Sequence, residues 1–256
     1  MSGRVTLELR GAEAHITIDH PEARNAMSQE MFEELIAHCD RLDAMDEVRV
    51  VVLRGAGNNF VAGGDIGQFR SFASGEDGLA YEKRTERGIG RLERLGKPTV
   101  AVIDGYAVGG GMILASVCDL RLCSEEARFG LPIARTLGNV PSIRNLARIS
   151  ALLGVAQTKQ LVMTARLLSA AEALELGLAT EVVPAERLEG RVDELCRTIS
   201  SHAPLTMRAA KEALRRLSFE DLPDASDLTR EVYGSRDFHE GVAAFFEKRR
   251  PVWQGR

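Results

Sequence analysis

The chain reads as an α/β protein, a core of parallel βαβ units with a helical appendage at its C-terminal end. Three observations predict this. Short runs of β-branched and aliphatic residues alternate with helix-period segments through the first half. From Ile143 onward the pattern is almost wholly helical. Two strand-like runs lead straight into clustered glycines, FVAGGDIGQF at 60–69 and IDGYAVGGGM at 103–112, and in parallel sheets ligands sit at the carboxyl ends of strands.

Each element follows from local chemistry. Residues 5–10 and 14–19 carry β-favouring side chains around Gly11, which predicts a hairpin. HPEARNAMS then breaks the pattern, and Ser28 is placed to cap a helix through Met31, Leu35 and Leu42. Residues 48–54 form an apolar strand ending at Gly55. The polar, glycine-containing stretch 71–78 is expected as a mobile loop, with a helix over 81–95. Residues 99–103 form a strand behind Pro98, Gly109, Gly110 and Gly111 precede the apolar helix MILASVC, and 120–123 returns to strand. Beyond Ile143, the segments IRNLARISALLG, AQTKQLVMTA and SAAEALELGL read as helices, as do 188–200 and 205–217. EVV at 181–183 is the one strand-like interruption, and the closing stretch from DLPDAS to EGVAAFFEKRRPVW is helical. The expected organisation is a core over 1–195 and a helical region over 196–256.

Composition narrows the function classes. With 256 residues, 45% hydrophobic and 27% charged, the chain can bury a sizeable core and is neither fibrous nor collagen-like. A net charge of −4 shows no nucleic-acid footprint, and Arg208, Lys211, Arg215 and Arg216, at helical spacing, read as a solvated face. The four cysteines form no CxxC pair and have no histidine at metal-ligand spacing, so reduced, buried thiols and no metal are expected. The start, MSGRVTLELRG, lacks an apolar signal core, and no run reaches the length of a membrane helix. The expected location is cytoplasmic.

The glycine clusters carry the functional question. Glycine suits positive φ or a close approach to the main chain, so each cluster alone has a packing reading. Neither matches a phosphate-binding loop, since GxxxxGK[ST] is absent and Gly109, Gly110 and Gly111 lack the later glycine of GxGxxG. Together they read differently. Both follow strands and lead toward helices, whose first N–H groups are free, and two such N–H groups aimed at one oxygen stabilise developing negative charge.

At this point the sequence resembles the crotonase family, also called the enoyl-CoA hydratase/isomerase family. FVAGGDI is similar to its F-x-A-G-x-D-[IL] segment and IDGYAVGGGMILASVCDLRL to its [ND]-G-x-[AC]-x-G-G-G-x-x-[IL] segment. HPEARNAMS resembles its N-P-x-x-x-N-A-[LM] turn, and EGVAAFFEKRRPVWQGR its C-terminal helix and tail. The resemblance implies a spiral of ββα units with a C-terminal helical trimerisation region, a homotrimer or homohexamer, and an acyl-CoA thioester as substrate with no separate cofactor. It puts the oxyanion donors at the N–H groups of Gly64 and Gly110, and CoA near Arg24, Ala26, Ala62, Asp65, Ile66 and Lys248. Asp65 also has a reading as a cap that fixes its loop, and Lys248 one as a surface lysine.

The resemblance breaks at the acid/base positions. Hydratases of this family use two glutamates, and here the first position falls at Ile113 and the second at Ile133 or Ala134. Neither type of side chain moves a proton. Polar residues on the same segment are Arg135, Thr136 and Asn139; Arg135 and Asn139 are candidates for holding an anion or an enolate oxygen, and all three also suit loop capping. Glu125 and Glu126 read as surface charge, Asp119 as structural, and His20 as stabilising its turn. The expected function is an acyl-CoA enzyme that stabilises a thioester enolate, a lyase or isomerase. The alternatives are a decarboxylase, a thioesterase-like enzyme for which no Ser or Cys with an adjacent base speaks, and a non-catalytic acyl-CoA-binding subunit.

Overall fold

In the computed structural model, residues 3–219, 222 and 224–255 are described. Met1, Ser2, Glu220, Asp221 and Pro223 of the DLPDAS stretch, and Arg256 of the tail lie outside them. The chain begins with a hairpin, β1 (Arg4–Arg10) against β2 (Glu13–Asp19), followed by α1 (Gln29–Asp43), whose first turn is capped by Ser28 Oγ accepting from the Met31 N–H. Then come β3 (Val50–Gly55), a 3-10 turn (Ile66–Ser71) and α2 (Gly75–Glu93). The next unit is β4 (Thr99–Ile103), β5 (Tyr106–Val108) and α3 (Gly110–Val117); the one after is β6 (Leu120–Ser124), β7 (Arg128–Gly130), α4 (Ile133–Thr136) and α5 (Ile143–Thr164). The chain finishes with β8 (Leu167–Ser169), α6 (Ala170–Glu175), β9 (Glu181–Val183), α7 (Leu188–Ser200), α8 (Pro204–Phe219), α9 (Ser226–Tyr233) and α10 (Arg236–Phe246).

Each turn of the chain sends a long strand to one sheet and a short one to another. The larger sheet runs β1-β2-β3-β4-β6-β9, all parallel after the first hairpin, and the smaller runs β5-β7-β8. Isolated parallel bridges, Val61 to Ala107 and Met27 to Gly64, extend the smaller layer outward. This is a spiral of ββα units. The central strands are apolar throughout because both faces are covered. Val51, Leu53, Ala101 and Ile103 join the main core with α1 and α3, while Val50, Val52, Val100 and Val102 pack under Leu188, Val192, Cys196 and Ile199 of α7.

Several expectations change. Of residues 71–78 only 72–74 form a connection: α2 already begins at Gly75, set by a capping box in which Asp77 answers Ser74. Its glycines serve close packing, since a Cβ on Gly75 would run into the Arg230 backbone and one on Gly78 into the Tyr233 ring, both on α9. EVV is not the only strand after Ile143, because 167–169 forms β8; like β5 and β7 it is too short to show a period. The expected boundary at 195 falls inside α7, whose apolar face is part of the core.

All four cysteines are free and buried, and burial pushes each thiol up to about 12. On α8, Lys211 pairs with Asp119 at 2.8 Å, and Arg215 and Arg216 both pair with Glu212. Asp119 also accepts from the N–H and hydroxyl of Thr99. No described helix is long and apolar enough to cross a membrane.

Candidate active site

The two glycine turns meet. Gly63 has φ 125° and Gly109 φ 58°, backbone that a side chain would strain. In the bridge beside them, the Met27 N–H donates to Gly63 O and the Asp65 N–H to Met27 O, each at 2.9 Å. The residue between, Gly64, therefore turns its own N–H away from Met27. Gly110 opens α3, so its N–H has no carbonyl one turn earlier. A Cβ on Gly110 would lie 3.5 Å from the Gly64 nitrogen. The third glycine has a different reason, because a Cβ on Gly111 would run into the Val61 carbonyl. Gly63, Gly64, Gly109 and Gly110 thus form one end of a cavity of about 60 Å³.

The opposite side is built from side chains. Gly78, Glu82, Thr85 and Ile89 lie along one face of α2, and the last three line the cavity. Gly78 lets the ring of Tyr233 approach, and Tyr233, fully buried, donates its hydroxyl proton to Glu82 Oε1 at 2.9 Å. The Ser142 N–H donates to Glu82 Oε2 at 2.9 Å. Glu82 is only 8% exposed. Burial raises its carboxyl to about 7, Glu86 adds in the same direction, and the donors from Tyr233 and Ser142 oppose. Asn139 Nδ2 donates to the Tyr233 hydroxyl at 3.2 Å, and its Oδ1 is buried without a partner. The Tyr81 hydroxyl reaches across so far that a Cβ on Gly64 would come within 2.6 Å of it. Below, Arg148 of α5 binds Glu86 and Glu93 and locks α2 in place.

The rest of the lining is apolar, including Ile113 from α3, Leu131, and Ile133 from α4. Ala134 is exposed and faces a separate outer groove, so Ile133 is the residue of the two alternatives that borders the cavity.

A sequence model described as Enoyl-CoA hydratase/isomerase matches residues 9–256. The chain belongs to the enoyl-CoA hydratase/isomerase family, the crotonase superfamily. It is 35% identical over 251 residues to a short-chain-enoyl-CoA hydratase of Clostridium acetobutylicum, covering 96% of this chain and 95% of that one. It is 36% identical over 266 residues to a carnitinyl-CoA dehydratase of Proteus mirabilis, with 100% of both covered. Among solved structures, a methylmalonyl-CoA decarboxylase in complex with 2-nitronate-propionyl-CoA superposes with a TM-score of 0.91 at 26% identity, covering 99% of each chain.

Against the family motifs, five of the expected CoA residues come together on the segments joined by the Met27–Gly64 bridge. Arg24 is exposed at φ 50° with its guanidinium 6.0 Å from the Tyr106 ring centroid, and its carbonyl accepts from the Ala62 N–H. Ala26 is buried against the same turn, where its carbonyl meets His20 Nδ1 at 2.8 Å. Asp65 caps the 3-10 turn by accepting from the Gly67 N–H at 2.8 Å, and Ile66 packs at the edge of an aromatic cluster. Lys248, exposed beyond α10, does not line the cavity. Arg135 is exposed on α4 and does not line it either, because its neighbour Ile133 takes the inward position of that short helix. Thr136 closes its own turn by donating to the Pro132 carbonyl. Glu125 and Glu126 are exposed.

Glu82, Tyr81 and Tyr233 escape the sequence reading. The family motifs do not contain them, and the glycines at 75 and 78 disguise the start of α2. The signal that reveals the helix is Ser74 with Asp77 three residues on, a cap that places 78, 82, 85 and 89 on one face. Among the described residues, no group of three or more His, Cys, Asp or Glu is placed to hold a metal ion.

Proposed function

We propose that this chain is an acyl-CoA enzyme that forms a thioester enolate by releasing CO₂ from a 2-carboxyacyl-CoA of the malonyl type. One observation carries the reading: the cavity that the Gly64 and Gly110 turns close at one end has an apolar wall that includes Ile113, Leu131 and Ile133, beside the polar groups of Glu82 and Asn139. Loss of CO₂ moves negative charge from a carboxylate to the thioester oxygen. N–H groups of Gly64 and Gly110 on that oxygen stabilise the product charge, at roughly 2.7 to 4 kcal/mol per donor. The apolar wall leaves the departing carboxylate poorly solvated, which favours its loss. The step balances as the 2-carboxyacyl-CoA anion plus one proton giving acyl-CoA plus CO₂. Hydration has a different need, a base on the attacking water, and Ile113 and Ile133 stand where the resemblance calls for glutamates. The likeness to methylmalonyl-CoA decarboxylase supports the same choice.

In this reading CoA lies along Arg24, Ala26, Ala62, Asp65 and Ile66, with Arg24 toward a phosphate. Lys248 is assigned to CoA held by a second copy, since it lies off the cavity. Leu214 and Leu217, one turn apart on α8, are 63% and 84% exposed, an apolar pair that fits self-association into trimers or hexamers, measurable by light scattering.

The test is to incubate the purified chain with methylmalonyl-CoA and with crotonyl-CoA and follow products by mass spectrometry. The expected result is propionyl-CoA from the first and little hydration of the second. Hydration at the ordinary enzymatic rate of about 1 to 10³ s⁻¹, with no CO₂ from methylmalonyl-CoA, overturns the reading.

A further inference from the structure

An enolate left by CO₂ must take a proton, and the cavity holds one carboxyl group among its described lining residues. That carboxyl, Glu82, shares the cavity with Gly64 and Gly110. The carboxylate form is held at both oxygens, by the Ser142 N–H on Oε2 and the Tyr233 hydroxyl on Oε1. Neither contact is a salt bridge. The charged groups nearby are engaged elsewhere, since Glu86, one turn along α2, is bound by Arg148 and lies 3.7 Å from Arg144 of α5. From α9 only the Tyr233 phenol is seen to bond to Glu82, and Tyr81 on its own helix points to Gly64. Asn139 completes the arrangement, because its Nδ2 fixes the Tyr233 oxygen while its buried Oδ1 is left open at the cavity.

We propose that Glu82 is the catalytic acid of this site, delivering its proton to the α-carbon of the thioester enolate, with Tyr233 as its positioning residue. The inference rests on the enolate reading above. In the step, the O–H bond of the Glu82 carboxyl breaks, a C–H bond forms at the α-carbon, and the carbon–carbon double bond of the enolate closes back to the thioester carbonyl. Glu82 is left as carboxylate and regains a proton from solvent. The raised affinity of the buried carboxyl for its proton suits this role, because it keeps a large acid fraction near neutral pH. The same group run in reverse removes an α-proton, so proton exchange on a saturated thioester reports on it without any decarboxylation.

The experiment follows deuterium entry at the α-carbon of propionyl-CoA in heavy water, and CO₂ release from methylmalonyl-CoA, for wild type, Glu82→Gln and Glu82→Asp. Glutamine preserves an acceptor for the Ser142 N–H or the Tyr233 hydroxyl but cannot carry the proton. The expected result is exchange lowered at least tenfold, and by about 10² to 10⁴ if this group acts alone, with propionyl-CoA affinity within about threefold of wild type. Should Glu82→Gln fail to fold by circular dichroism, Glu82→Met, of similar size and without a titratable group, takes its place under the same tenfold threshold, while Glu82→Asp, which keeps a carboxyl, should retain more exchange than either. Exchange reduced less than tenfold in the folded variant overturns the assignment of Glu82 while the enolate reading stands. A wild-type chain with neither exchange nor CO₂ release overturns both.

Discussion

The two ends of the cavity are made of different material. One is backbone: glycines whose N–H groups are set by strand ends and a helix start. The other is side chain: Glu82 from α2 and Asn139 from beyond α4, tied together by Tyr233 from α9. Among the natural amino acids only proline removes a backbone donor and any other residue can at most block it, whereas the side-chain end is altered by a single atom. Stabilising charge on an oxygen needs fixed donors. Moving a proton needs a group whose affinity for it is tuned.

At the backbone end the largest effect is expected from Gly110→Ala. Its φ lies outside the left-handed region and a Cβ there meets nothing closer than 3.5 Å, so the fold should survive. The methyl group instead enters the space beside the Gly64 N–H, and any turnover should fall by about 10² or more, as for loss of one oxyanion donor. Gly111→Ala sharpens the contrast: its Cβ meets the Val61 carbonyl, so this variant should lose thermal stability. Equal turnover in wild type and Gly110→Ala would show that these glycines serve packing alone.

The side-chain end should reveal itself through pH. Glu82 has its carboxyl raised from 4.5 to about 7 in the fold. Between those values the folded state binds more protons than the unfolded one, so stability falls as pH rises. The contribution is fully present below 4.5 and lost on passing through about 7, a change of up to about 3 kcal/mol. Glu82→Gln should remove this slope in urea denaturation at pH 5, 6 and 7. Parallel curves for the two proteins would mean that Glu82 is not perturbed.

Tyr233→Phe should act on the same group more gently. Losing the hydroxyl removes a donor to the carboxylate, so the Glu82 carboxyl rises further and the alkaline limb of a pH–rate profile moves upward. Asn139 Nδ2 also loses its acceptor, at a cost of about 1 to 3 kcal/mol in stability. An alkaline limb that stays in place or moves down would separate Tyr233 from the proton chemistry.

The smallest effect joins the two ends. Gly64→Ala meets no positive φ, but its Cβ would press on the Tyr81 hydroxyl at 2.6 Å. A loss of about 1 kcal/mol is expected, and Tyr81→Phe in the same chain should recover most of it. If the double variant is as unstable as the sum of the single ones, the two residues do not touch.

Much of this was legible in the sequence. The hairpin, the strand at 99–103, the Ser28 cap and the long C-terminal helices are encoded by short-range pattern, and so are the glycine turns. The misreadings lie where local signals have a distant cause. Gly75 and Gly78 look like a loop because glycine is a poor helix former, yet they make room for α9. The strands β5, β7 and β8 are legible only once they pair. α8 and α10 both read as amphipathic, but Leu214 of α8 is 63% exposed while Phe238 of α10 is fully buried.

The sequence by itself determined the alternation of strand and helix, the family and the two glycine turns, because each is written in residues a few positions apart; that the turns meet, Gly64 beside Gly110, is decided by the fold. Only the tertiary structure decided which carboxyl enters the cavity. Glu82 meets Ser142 across 60 positions and Tyr233 across 151, and Asn139 meets Tyr233 across 94. A carboxyl near the surface and one pressed between helices carry the same letter; burial alone changes how tightly it holds its proton, and burial is a property of the packed chain.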